Sequence, residues 1–474
     1  MNALPSRRTS SLRAVRSPRR GRPAQWLIAC ASLAAALVTL LVSTRAQAIP
    51  AFARRYQTSC QTCHLAFPKL TPFGEAFRRN AYRFPSGGDE VTEKEERIAL
   101  GNDAQKDVFP RSVWPGQIPG TVPLSFIIDA RGVIGPKPEM HGEEDAHAEE
   151  PAPAPGAPAA AAAEEEHGDT KITFKESMAR LVAGGSLGGI GGYFGAVSFG
   201  GHAAAELERA FIVLTPIDQT SLHLKVGQFE PSLHGVSIHR GLLGHQLRLT
   251  STRVRLNPHM YEPSLRGFEA SGLVVGRVGW TAGVVENIDP AHGLTSDMYG
   301  RLEVKAGGMR WDGVDGQAES AAWRERSFSF GLSGYRGRSK VSETIAGTVT
   351  SINDTFVRAG ADAHLVLNDL LVDVVVATQR HSGAEIPKAT RTMDIAYAEI
   401  TYVTFPWIFP TVRGEWSRVR GSGMEAEARW IGLVGINTVL RPNVVLRAEA
   451  AMGKDPGGHG AGFRFAALTA SVAF

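Results

Sequence analysis

From Met178 to Phe474 the chain alternates apolar and polar residues with a period of two, and this pattern limits its possible folds more than any other feature. Leu222, Leu224 and Val226 share one face, with His223, Lys225 and Gly227 on the other. Further on, Leu302/Val304/Ala306 oppose Arg301/Glu303/Lys305, and Leu446/Ala448/Ala450/Met452 oppose Arg447/Glu449. Period two with one charged face is the signature of a half-buried strand. Two all-β architectures accept it. A soluble sandwich turns the charges to water, whereas a membrane barrel turns the apolar face to lipid and the charges to its lumen.

Three features favour the barrel. Tight turns such as Leu367-Asn368-Asp369-Leu370 and Leu440-Arg441-Pro442-Asn443 alternate with longer polar loops, as periplasmic turns and extracellular loops do. Phe405, Trp407 and Phe409 cluster at one such turn, where an interfacial aromatic girdle would lie. The chain also stops on a strand whose Leu468, Ala470, Val472 and Phe474 share a face. Segments marked by Val122, Glu176, Tyr193, Leu207, Leu222, Phe268, Trp280, Tyr299, Phe328, Phe356, Leu371, Asp394, Phe409, Trp430, Val444 and Arg464 give about 16 strands, the first over Val122–Val133. An even number keeps both ends in the periplasm, although the connection near residues 307–326 is long for that side.

The first 48 residues read as a secretory signal: arginines without acids, an apolar core from Trp26 to Val42, then Ala46-Gln47-Ala48. Leu27-Ile28-Ala29-Cys30 precedes most of that core, which argues against a lipoprotein box, and Arg7-Arg8 raises the twin-arginine route as an alternative. Removing the segment takes away eight arginines and changes the formal net charge from +4 to −4, so nucleic acid is not an implied partner. Beyond it no apolar run reaches the roughly 18 residues a membrane helix needs. Residues 137–169 carry acidic clusters around a Pro/Ala tract, with His141, His147 and His167, and are expected to be a disordered loop. The expected organisation is a signal over 1–48, a distinct segment and connector over 49–120, and a barrel over 121–474.

The distinct segment contains Cys60-Gln61-Thr62-Cys63-His64. Two thiols three positions apart followed by an imidazole can join the two vinyl groups of one c-type haem and ligate its iron. A redox Cys pair, half of a zinc site or a small disulfide loop are the alternatives. No second cysteine pair completes a zinc site, and no βαβ pattern surrounds the motif. Downstream, Thr71 can cap a short helix with Pro72 at its first position. Phe67 and Phe73, with Phe77 and Tyr82, are available to pack on a porphyrin. The longest barrel loop, about residues 232–267, holds His234, His239, His245 and His259 beside Met260, four candidate distal ligands if it folds inward. No nucleophile elbow, phosphate loop, zinc-protease helix or dinucleotide fingerprint occurs, so no catalytic residue is nominated.

Phe52-Ala53-Arg54, Ser59-Cys60-x-x-Cys63-His64, Phe67-Pro68-Lys69-Leu70-Thr71-Pro72-Phe73-Gly74 and Tyr82 resemble the fused outer-membrane cytochrome-porins known best from iron-oxidising bacteria. The resemblance implies a single covalent haem c on Cys60, Cys63 and His64, held as a plug in a barrel of about 16 strands in the outer membrane. It further implies electron transfer across that membrane, Fe(II) as donor in a ferrous-iron oxidase, and a periplasmic cytochrome as acceptor. A diffusion porin with a structural haem and a soluble periplasmic cytochrome are the competing expectations.

Overall fold

The strands alternate between an exposed face rich in aliphatic residues and an inner face that holds paired charges and packed side chains, and the sheet closes on itself. The computed structural model describes residues 50–85, 94, 97–99, 103–108, 110–111, 117–119, 122–135, 172–174, 176–200, 203–244, 247–261, 264–286, 296–314, 322–421, 426–454 and 462–474. The signal-like segment and the acidic insertion lie outside these residues.

The barrel runs β1 (Leu124–Ile134), β2 (Met178–Ser186), β3 (Gly191–Gly200), β4 (Ala203–Leu214), β5 (His223–Phe229), β6 (Leu265–Val274), β7 (Val278–Glu286) and β8 (Ser296–Gly307). It continues through β9 (Arg326–Ile345), β10 (Thr348–Leu367), β11 (Leu370–His381), β12 (Arg391–Tyr402), β13 (Ile408–Gly421), β14 (Glu427–Arg441), β15 (Val444–Lys454) and β16 (Gly462–Ala473). Each strand pairs antiparallel with the next, and β16 pairs with β1, Ala466 opposite Ile134 and Ala473 opposite Ile127. Ile172–Thr173 pairs with the end of β1 as a detached continuation of β2, so the wall has the 16 strands that the sequence markers give. The first strand begins two residues later than expected.

The direction of the side chains decides between sandwich and membrane barrel. On β8, Leu302 is 64% exposed while Arg301 and Glu303 on either side are 6% and 8% exposed. On β15, Ala448, Ala450 and Met452 face out and Arg447 and Glu449 face in. A soluble protein would gain from the reverse arrangement, because exposing a belt of Leu, Val and Phe to water forfeits about 25 cal/mol per Å². This is the architecture of an outer-membrane barrel, apolar outside and polar inside, and the sandwich expectation is corrected. The inward charges are paired: Arg131 with Glu449, Lys225 with Glu269, and Arg301 with Asp362. Among the described residues no helix is long and apolar enough to cross a membrane.

Short turns gather at the end where the barrel begins and finishes. Asn368, at φ 56°, and Asp369 alone join β10 to β11, an Asn supplying the left-handed backbone that a two-residue hairpin needs. Phe405 and Trp407 stack at 5.6 Å and stay about half exposed at this rim, as a girdle pair should. Phe409 is the exception to that expectation. It is 0% exposed because β13 starts at Ile408, which sets the inward parity at the next residue. Residues expected to be plain connector include a short ribbon, Arg97–Ala99 against Gln117–Pro119, and a helix over Asp103–Val108.

Candidate functional site

Residues 50–85 fold into three short helices, α1 (Ala51–Tyr56), α2 (Cys60–Cys63) and α3 (Pro72–Arg79). The helix α2 is a single turn, capped by Ser59, whose hydroxyl accepts from the Gln61 amide at 3.3 Å. Thr71 then does two jobs. Its hydroxyl accepts from the Gly74 amide at 3.1 Å, capping α3 as its sequence suggests, and donates to the Thr62 carbonyl at 2.8 Å. The Thr71 amide donates to the Cys63 carbonyl at 2.9 Å. Gly74 is required at this contact, since a Cβ there would collide with the Cys63 carbonyl.

The Cys60 and Cys63 thiols are free, and burial pushes the Cys63 thiol up to about 12. His64 donates from Nδ1 to the Pro68 carbonyl at 3.2 Å, which fixes the ring and leaves the lone pair on Nε2. Burial pushes this imidazole down to about 4, outweighing the Pro68 and Lys69 backbone bonds that raise it, so it is neutral at ordinary pH. Phe67 packs edge-on against His64 at 5.2 Å, and Phe73 meets Phe84 at 5.3 Å.

Contacts with residues of several barrel strands and connections hold the segment. Lys69 donates to Asp373 at 2.6 Å and Glu399 at 3.3 Å, and Arg79 bridges Glu75 and Glu303 at 2.7 and 2.5 Å. Burial opposes the charge on Glu75, but Arg78 and Arg79 outweigh it and hold the carboxyl well below its usual range. Arg83 reaches Thr215 at 2.8 Å, and Gln61 reaches the Pro406 carbonyl at 3.2 Å. The connection between β8 and β9 is long because it clasps the segment. Its Trp311 lies under the Arg79 guanidinium at 4.3 Å, and its Trp311 and Asp312 carbonyls approach Asn80 at 3.4 and 3.5 Å.

The loop joining β5 to β6 folds inward from the opposite end, as expected if it were to reach the lumen. Its Leu242, fully buried, belongs to one apolar cluster with Leu65 and Ala66. A cavity of about 800 Å³ is lined by Cys60, Cys63, His64, Phe67 and Phe73 of the segment, by His234, His239 and Met260 of the loop, and by inward residues of the wall. His234 donates from Nδ1 to the Val236 carbonyl at 2.8 Å. Burial, reinforced by Arg358 and opposed by that bond, brings it down to about 3.

The other histidines are placed differently. His259 is outside the cavity lining, 2% exposed and packed 4.4 Å from the Phe356 ring. His245 lies outside the described residues. His223 faces the lumen as its strand parity implies, with Nε2 donating to the Gln219 carbonyl at 2.7 Å. Among the described residues no group of three or more His, Cys, Asp or Glu could hold a metal ion by itself. Lys69 and Gly74 stand within the quoted motif, but the motif does not show what they touch, and the Asp373, Glu399 and Glu303 partners of Lys69 and Arg79 stand elsewhere in the chain.

No family model matches the sequence, and no curated protein matches it. Among solved structures, in-vitro folded OmpT, an outer membrane protein of Vibrio cholerae, shares 12% identity over 77% of this chain and 99% of its own, with a TM-score of 0.47. Salmonella typhi OmpF, solved with daunomycin, shares 11% over 74% and 97%, with a TM-score of 0.49. An anion-selective porin from Comamonas acidovorans shares 10% over 75% and 99%, at 0.48. These likenesses are distant, and the barrel rests on the strand pairing described above.

Proposed function

We propose that this chain is an outer-membrane electron conduit in which residues 50–85 plug the barrel and carry one covalently attached haem c. The observation that supports this best is the donor set at the lumenal cavity. Two free thiols stand on one helical turn, next to an imidazole whose Nδ1 is already engaged with a backbone carbonyl. Iron-ligating histidines are oriented by such a bond through their second nitrogen. A bound c-type haem supplies reversible one-electron chemistry at its iron. Cys60 and Cys63 would anchor the group and His64 would ligate the metal. Phe67 and Phe73 would exclude water from it, and Thr71 and Gly74 keep α3 against the anchoring turn. Fe(II) outside the cell is the proposed donor, which would make the protein a ferrous-iron oxidase, and a periplasmic cytochrome the proposed acceptor.

The test is a spectrum of the detergent-extracted protein. Thioether-linked haem in a one-to-one ratio, reduced on adding Fe(II), is the expected result. A colourless barrel would end the proposal, and a coloured one that ignores Fe(II) would remove only the donor. The lumenal cavity and its paired charges also suit a diffusion porin with a structural haem. For that alternative, His64→Ala cells would keep solute uptake and lose no electron exchange at the surface, whereas the conduit loses the exchange.

A further inference from the structure

Resting on the haem reading above, we infer that His234 is the second axial ligand of the iron, giving a centre held between two histidines. Of the four histidines that the loop offers, His259 is buried in the aromatic packing of Tyr261 and Phe356, away from the cavity lining. Among the described residues of the loop, His234 and His239 line the cavity, with Met260; His245 lies outside them.

His234 repeats the preparation seen at His64. Each ring spends its Nδ1 hydrogen on a backbone carbonyl close in sequence, Pro68 for His64 and Val236 for His234. A neutral imidazole with its hydrogen on Nδ1 keeps its lone pair on Nε2, the form that binds a metal. Among the described residues nothing donates a hydrogen bond to His234 Nε2, so that lone pair has no protein partner. An acceptor on a cavity wall, left unused by a ring otherwise fixed in place, is accounted for by a ligand bound in the cavity.

The loop around His234 is built to hold this position. The amide of Gly235 donates to Asp362 at 3.2 Å, and the Leu233 carbonyl accepts from Arg301 at 3.1 Å, tying both neighbours of His234 to inward residues of β10 and β8. Leu233 itself is 5% exposed within the cluster that contains Phe211, Phe229 and Tyr299. The ring is thereby held to the barrel wall, while His64 is held by the N-terminal segment. Iron bound by both would couple the segment to the loop.

The test uses the full-length protein in detergent and reads the spin state of the iron by electron paramagnetic resonance and near-infrared magnetic circular dichroism. The wild type is expected to be low-spin with two histidine ligands and, when reduced, to resist carbon monoxide. In His234→Gly the haem should remain covalently attached, shift to high-spin and bind carbon monoxide, and added imidazole should restore the low-spin signal. His234→Met should give a low-spin His/Met signature and a raised potential. His239→Ala should leave the wild-type signal unchanged. An unaltered low-spin spectrum in His234→Gly overturns the assignment, as does its loss in His239→Ala instead. A wild type without thioether-linked haem in the pyridine haemochrome assay fails at the earlier step, so the two failures are distinguishable.

Discussion

Lys69 shows how one side chain ties the N-terminal segment to a wall formed 300 residues later. Its part-buried ammonium lies between the buried carboxylates of Asp373 and Glu399. Removing one partner of a buried ionic group while leaving the others costs about 3–5 kcal/mol. Lys69→Met is therefore expected to loosen residues 50–85 without dissolving the barrel, seen as faster limited proteolysis of the segment with unchanged heat-modifiable mobility. Burial acts against the Lys69 charge, but the two carboxylates outweigh it and hold its folded value above the ordinary 10.5. Its stabilising contribution is present below 10.5 and is lost only as pH rises through the higher folded value. Glu75 has the opposite sign, with its folded value depressed, so its contribution is present above 4.5 and disappears as pH falls through the lower folded value. Protease resistance of the segment should accordingly hold from pH 5 to 10 and fall at either extreme. At the α2–α3 contact, Gly74→Ala should push α3 off the cysteine turn and, on the haem reading, lower the haem content per barrel, measured by absorbance against protein. Thr71→Ala should cost about 1 kcal/mol through the lost cap.

Among the elements, the strands were legible from the chain and the contacts between distant ones were not. All sixteen markers fall on or within two residues of a wall strand, because each strand needs one face for lipid and one for the lumen and so carries its own period-two record. The cap at Thr71 was legible too, from local chemistry, but the inward course of the loop was not, because its histidines suit a solvated rim as well as a lumenal fold. Phe409 was misread, since an aromatic near a turn can belong to either face until the first residue of the strand is known. The structure implies different penalties for these neighbouring aromatics. Phe409→Ala should cost about 3–5 kcal/mol as a core truncation, and Phe405→Ala at the exposed rim should cost much less, both read as unfolding free energies in urea. Leu302→Arg should cost about 2–4 kcal/mol if it sits near the bilayer midplane. The reach of Lys69 and the clasp by Trp311 left no local trace, because a pairing over such separations depends on barrel closure.

For the molecule as a whole, closure has a consequence in time. Phe474 and Phe126 exchange backbone hydrogen bonds at 3.0 and 2.7 Å, so the final residue stitches the last strand beside the first. The two thiols line a cavity walled by strands and by the inward loop. If haem is attached there, the closed wall would stand between a ligation enzyme and the thiols once the seam is sewn. On the haem reading, the pigment would be loaded while the polypeptide is still a thread, and the cylinder would wrap a passenger already aboard. A chain truncated before Phe474 should stall in the periplasm already coloured, whereas a Cys60→Ser/Cys63→Ser chain that reaches the membrane should stay colourless however much haem is later supplied.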